Sequence, residues 1–373
     1  MHEYLKERLL SAGLFCTVIV VFFIVHRNSK SEKQQEWILR AYLLVLTILG
    51  FLYVPSSGAD VSRLVYAGNE YAAIPFGTFI RRAFTTSATP LAQLYFRLVQ
   101  SLHIQGAMSG ITAFLSFMLY FSSVKLVAKN YKFSNKCVAY AVLFSMCGGL
   151  YFAVVAGIRF ILATLILVRG LLSIWFGEKQ YLPAILSIVV ACLIHTGMIP
   201  LVVFWLASLC LSRGWKRRLW LYALLAIVCV FAIGIISRYI SVAFDKYEGY
   251  SGSGALKFGV YRYVLALFHF AIYVYFMFYL RRTRKIGILP KGSGVYLVLL
   301  TCFELFLIRD FIMFARYLCL YPFLLLPHLM SYVNTSELKG LRQYETNFLF
   351  ICVVCLITNY LSDMSGLKFF VLN

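Results

Sequence analysis

Apolar runs of membrane-crossing length recur along the chain, separated by short polar interruptions. A helix needs about twenty apolar residues to cross roughly 30 Å of hydrocarbon, and every backbone group within it must be bonded inside the segment. The pattern predicts spans at 9–26, 38–54, 107–124, 137–156, 158–176, 219–236, 263–280 and 347–362. Two longer tracts, 182–211 and 294–330, are interrupted at "LIHTGMIP" and "LIRDFIMFAR", and each is predicted to be a helical hairpin. The expected fold class is an all-α polytopic integral membrane protein. The expected organisation is a single membrane-embedded domain over 1–373, with outer loops at about 55–106 and 237–262.

Composition agrees with the pattern. The chain is 62% hydrophobic and only 13% charged, with a mean hydropathy of +0.83, which excludes an ordinary soluble domain of 373 residues. Its formal charge of +21 sits in short loops between apolar runs. A nucleic-acid-binding face would instead need a folded basic surface with stacking aromatics, so no nucleic-acid partner is expected. The richest clusters are Arg27/Lys30/Lys33, Lys125/Lys129/Lys132/Lys136, Arg213/Lys216/Arg217/Arg218 and Arg281/Arg282/Arg284/Lys285. Lys and Arg are retained on the cytoplasmic side of short loops. If these clusters and Lys339/Arg342 share that side, each long tract must leave and return, and the count becomes about twelve spans, with about ten to twelve as the range. Both termini then face outward, and the first span reads as a reverse signal anchor. Cysteines lie in apolar spans; Cys352 and Cys355 have C-x-x-C spacing but no second pair or His partner, and read as small buried hydrophobes. The string "GYSGSGALKFG" reads as part of an outer loop.

This topology places Asp60, Arg63, Tyr66, Glu70, Arg81 and Arg82 in the first outer loop. "PLAQLYFRLVQSLH" (Pro90 to His103) has apolar positions at helical spacing around Arg97, which fits an amphipathic helix on the outer leaflet or the start of the third span. The other outer-facing turns carry Arg159, His195, and Arg309, Asp310 and Arg316. On a continuous helix Arg309 and Arg316 share a face, with Arg316 about 10 Å deeper. Outer turns are normally poor in Lys and Arg, and an arginine at such depth is costly unless it is paired or lines a wet cavity. Each residue also has a structural reading: a lipid-phosphate contact for the loop arginines, a bonded core ring for His195, a cap for Asp60. Their joint occurrence favours function. A polyprenyl-diphosphate sugar would use all of it, with its tail among the helices, its diphosphate on bidentate cations and its glycan in the outer loops. Arginine then serves the diphosphate, and Asp60 or His195 serves the acceptor hydroxyl as base. His195 as an imidazolium clamp on phosphate is the other possibility, and the base is preferred because arginines already supply positive charge.

The order of these features resembles the EpsG-like and Wzy-type bacterial polysaccharide polymerases. The shared elements are an outer Asp…Arg…Tyr loop, the helix start "IRFILA", the helix end "ACLIHTGMIPL" and the late segment "ARYLCLYPFLLLP", together spanning roughly 38–330. The family's acid resembles Asp60, its helix-start arginine Arg159, its histidine His195, and its late Arg-Tyr pair Arg316 and Tyr317. Many relatives place a Tyr directly after the acid, whereas Val61 follows here and Tyr66 comes later. The resemblance implies a membrane glycosyltransferase of the lipid-carrier-dependent class. It would transfer a glycan from undecaprenyl diphosphate to the non-reducing end of a lipid-linked repeat unit, with Arg159, Arg316, Arg309, Arg63, Tyr66 and Tyr317 holding substrate. It implies residence in the bacterial inner membrane with an outward-facing site, and a chain-length regulator as a possible partner. The lipid-linked oligosaccharide is a substrate, so no cofactor is expected. No metal is expected either, for want of a D-x-D pair in an outer loop.

Two other classes share the composition. A lipid-linked oligosaccharide flippase would need charge at mid-membrane depth and repeat symmetry, and no repeat is evident, although Glu304 lies deep in an apolar tract. A membrane O-acyltransferase acting on glycans would use His195 as base with a cytoplasmic donor. The outward orientation is testable: a cysteine at Tyr66 in intact cells is expected to react with a membrane-impermeant maleimide from outside, and labelling only after the cytoplasm is opened would reverse the topology.

Overall fold

The computed structural model describes residues 2–55, 60–176, 181–212, 260–282, 293–308, 311–339, 342–361 and 368–369. These residues are helical throughout and contain no strand. In order, the helices are α1 His2–Arg27, α2 Glu32–Leu52, α3 Asp60–Ala73, α4 Phe76–Thr86, α5 Pro90–Gln100, α6 Ala107–Tyr131, α7 Asn135–Cys147, α8 Leu150–Ala156, α9 Ile158–Trp175 and α10 Tyr181–Ile194. After a 3-10 turn at Thr196–Met198 come α11 Ile199–Ser212, α12 Val260–Arg282, α13 Ser293–Leu307, α14 Phe311–Leu318, α15 Tyr321–Leu324, α16 Leu326–Lys339 and α17 Arg342–Leu356. A π-helical turn, Ile357–Leu361, follows α17.

Four helices are long and apolar enough to cross a bilayer: α1 from Leu9, α2, α6 and α9. Two bent runs, α7 with α8 and the stretch within 313–334, raise the number to six if each is one span, and shorter apolar helices occur within 182–194, 196–208, 263–278 and 293–307. The protein is therefore an all-helical chain with four to six membrane-capable helices among the described residues. The predicted span 219–236, the loop at 237–259, and Arg309 and Asp310 lie outside those residues.

The structure differs from the sequence pattern at two places. The stretch read as an outer loop at 55–106 folds over most of its length into α3, α4 and α5, whose polar faces mask their helical content in a hydropathy profile. The span read as 137–156 bends by 54° between α7 and α8. Gly148 and Gly149 form that break, and Gly149 has φ +88°, a conformation open to glycine. In the tract around "LIRDFIMFAR", α13 ends at Leu307 and α14 begins at Phe311, and the helix face expected to be shared by Arg309 and Arg316 lies outside the described residues. The tract around "LIHTGMIP" does break at His195, as predicted.

Contacts divide the described chain into two compact units. The first takes residues 1–198, 275–288 and 319–373, and the second takes 199–274 and 289–318. In the first unit, Gly50 of α2 lets that helix approach Ser109, Gly110 and Ala113 of α6, where an added Cβ would sit 3.0 Å from the Ser109 carbonyl oxygen and 2.9 Å from the Ala113 Cβ. Small residues at such crossings drive helix association where lipid removes the hydrophobic drive. The ends of this unit differ in charge. At one end Lys125 pairs with Glu36 at 3.1 Å, Lys136 pairs with Glu345, and the Arg27 guanidinium lies 6.0 Å from the Tyr140 ring centre, so the first two basic clusters lie together. At the other end are the end of α2, the start of α6 and the junction of α8 with α9, tied by Ser109 Oγ donating to the Val155 carbonyl at 3.1 Å.

In the second unit α11 packs on α13, and α13 on α14. Phe303 lies between Phe204 and Tyr317, with ring centres 5.1 Å away in each case. Gly50→Ala is expected to lower the melting temperature in detergent by an overpacking cost of about 1–3 kcal/mol. Gly77→Ala, whose added Cβ meets nothing within 4 Å, serves as the neutral control.

Candidate functional site

The first unit brings two of the sequence-predicted residues, Arg159 and His195, to one corner. Helix α9 starts immediately after α8 because Gly157 interrupts the chain, and Gly157, as the N-cap residue, has no side chain to cap the first turn of α9. A helix start with uncapped N–H groups carries partial positive charge. Arg159 is the second residue of α9 and is half-buried. It lines a cleft of about 320 Å³ whose other wall residues are apolar or aromatic: Tyr95 and Phe96 from α5, Leu115, Met118 and Leu119 from α6, Leu162 and Ile166 from α9, and Ile194 at the end of α10 among them. Met118 is 43% exposed, so the cleft reaches the outer surface of the helix layer.

His195 follows Ile194 directly. Its ring meets the Phe160 ring edge-on, with centres 5.2 Å apart, and Phe160 is the residue after Arg159. The Gly197 N–H donates to His195 Nδ1 at 3.0 Å. A neutral imidazole has one donor and one acceptor nitrogen, so with Nδ1 accepting, the ring proton belongs on Nε2. In this arrangement His195 presents an N–H donor at Nε2 rather than a lone pair. That bond is the physical fact that bears on the choice between base and clamp.

The α3–α5 layer positions the cleft wall. Tyr95 Oη shares a hydrogen bond with Thr112 Oγ1 at 2.7 Å, tying α5 to α6. Arg97, on α5, donates to the Tyr71 carbonyl of α3, and its guanidinium lies 4.9 Å from the Phe79 ring centre and 5.5 Å from that of Phe76. Arg97 thus clamps three short helices together, a structural role for a residue that charge alone also offered to lipid. The helix predicted at 90–103 is present as α5, but its buried positions Ala92, Phe96 and Val99 face protein, and Gly106 separates it from α6.

Asp60 opens α3 and pairs with Arg63 one turn on, with both side chains largely exposed. Tyr66 is 68% exposed on the same helix. Helix α3 packs on α5 and reaches α6 and α8, so these three residues occupy the layer outside the cleft. Arg316 and Tyr317 belong to α14 in the second unit, where Tyr317 is buried against Phe303. Arg309 lies outside the described residues. The aromatic wall, Tyr95, Phe96 and Phe160, was not marked by the sequence reading; its signal, paired aromatics beside Arg97 and Arg159, is indistinguishable from ordinary core packing until α5 is docked.

No family model, curated protein or solved structure matches this chain.

The layer yields a contrast in stability. Exposed ion pairs contribute little, so Asp60→Asn is expected to leave the melting temperature almost unchanged. Arg97→Ala removes a carbonyl partner and two ring contacts and is expected to lower it clearly, with faster protease cleavage within 60–100.

Proposed function

We propose that this protein is a polytopic glycosyltransferase of about ten to twelve spans. In this reading it polymerises lipid-linked oligosaccharide repeat units on the outer face of a bacterial inner membrane, with undecaprenyl diphosphate as the leaving group. The observation that carries the reading is Arg159 at the uncapped start of α9, set in an otherwise apolar cleft that reaches the lipid-facing surface. A lipid diphosphate matches those features: hydrocarbon for the cleft, and an oxyanion for a guanidinium fork and a positive helix end.

The roles follow from what each group can do. Arg159 and the first N–H groups of α9 hold the donor diphosphate and neutralise the charge that builds on it as the glycosidic bond breaks. His195 donates its Nε2 proton to a phosphate or glycan oxygen, because its Nδ1 is engaged by Gly197. In this reading His195 serves charge stabilisation, and Asp60 is the base for the acceptor hydroxyl. Arg63 and Tyr66 belong with the glycan in the outer layer. Arg309, Arg316 and Tyr317 keep the substrate-binding role that the family resemblance implies, and a chain-length regulator remains the expected protein partner.

The test is incubation of the purified protein with one defined lipid-linked repeat unit, products resolved by gel. Arg159→Lys keeps the charge but not the fork and is expected to cost at least about tenfold in rate, the size of one charge-assisted contact. His195→Gln retains an N–H donor and is expected to keep much of the polymer yield, whereas His195→Leu loses it. A His195→Gln protein as inactive as His195→Leu would restore the base role, and full activity of Arg159→Ala would end the reading.

A further inference from the structure

Glu304 is the one acidic residue among the described residues with 0% exposure, and neither carboxyl oxygen has a hydrogen-bond partner. It lies on the buried stripe of α13 formed by Ser293, Tyr296, Leu297, Leu300 and Leu307, while Val298, Leu305 and Phe306 occupy the exposed side. The carboxyl therefore lies on the covered side of α13. The helices packed on α13 bring few ionisable groups. The described side chains of α11, Ile199 to Ser208, include none, and α14 brings Arg316 and Tyr317. Elsewhere in the unit the described side chains of α12 include Tyr263, His269 and Tyr273. Close by on α11, next to the Phe204 that meets Phe303, Trp205 has a buried indole N–H that also lacks a partner.

An ionised carboxylate without partners in such surroundings costs far more than the protein's marginal stability permits, so the group must either find a partner or shed its charge. The geometry points to Glu304 as a proton-binding site within the membrane layer: a carboxyl held as the neutral acid, whose ligand is the proton. Intramembrane acids of this kind are costly to keep and serve proton relay or exchange. The site is independent of the Arg159 cleft, and its test does not depend on the polymerase reading.

A hydrophobic carbodiimide reads the neutral acid directly. The carboxyl proton moves to a carbodiimide nitrogen and the carboxylate oxygen adds to the central carbon, giving an O-acylisourea; acyl migration to nitrogen then leaves a stable N-acylurea with nothing expelled. Treating the purified full-length protein in liposomes with dicyclohexylcarbodiimide is expected to give an adduct that mass spectrometry maps to Ser293–Leu307, absent from Glu304→Gln. A water-soluble carbodiimide is expected to leave that peptide unmodified. No adduct on Glu304, or equal reaction with the water-soluble reagent, overturns the proposal. Melting provides the second measurement: Glu304→Gln keeps the shape of a neutral acid and is expected to melt within a few degrees of the parent. A large loss would mean an ionised Glu304 held by a cation and would equally overturn it.

Discussion

Inside hydrocarbon a backbone carbonyl has no water to bond, so each helix break in this protein has to be sealed by the protein itself. The break between α7 and α8 shows how. Gly148 and Gly149 end α7, where the Gly149 N–H donates to the Met146 carbonyl at 3.2 Å, and the π-helical turn after α17 adds two further bonds: Tyr360 Oη donates to Met146 at 3.0 Å, and Asn359 Nδ2 to Cys147 at 3.1 Å. Two residues more than two hundred positions away thereby make the bend affordable. The bend redirects α8, Ser109 fastens its end, and α9 begins at the adjacent Gly157. The start of α9, and with it Arg159, depends on a seal made at the far end of the chain.

The arginines within this frame sort by what their guanidinium groups meet. Arg169, inside α9, donates to Ser122 of α6 at 2.9 Å and to Ser173 one turn on, so it serves helix packing. Arg97 is taken up by Tyr71 and two phenyl rings. Arg159, at the start of α9, lines a cleft whose other wall residues are apolar or aromatic. Desolvated surroundings strengthen its attraction for an oxyanion, and the planar fork suits phosphate geometry. The neighbouring histidine is oriented by a backbone N–H only two residues on, a short-range device that fixes the tautomer without a carboxylate.

Charge elsewhere is placed to hold the bundle together. Lys136 and Glu345 join α7 to α17, and Tyr140 donates to the same carboxylate at 3.3 Å. Burial alone would raise the Glu345 pKa toward the neutral form, but Lys136, the Tyr140 hydroxyl and the Arg27 charge together outweigh it and hold the carboxyl below its ordinary value. A depressed carboxylate stabilises the fold above its unfolded titration range and loses that contribution as the medium is acidified through the folded one. The basic end of the first unit is thus a structural seam as well as a sorting signal.

The sequence by itself determined the solvent and the local rules. The lengths of the apolar runs determined where α1, α2, α6 and α9 lie, because hydrocarbon thickness sets a minimum that only such runs meet. The break at His195 was legible too, because it is written in a few neighbouring residues. Tertiary structure alone decided the rest. The helices of the 55–106 stretch are amphipathic and gain stability only when docked, so a hydropathy profile shows a polar loop there. The bend at Gly148 and Gly149 needs partners from α17's end, and the meeting of Arg159 with His195 needs α9 packed against α10. Those are contacts between residues distant in the chain, which hydrophobic periodicity, a property of neighbours, does not encode.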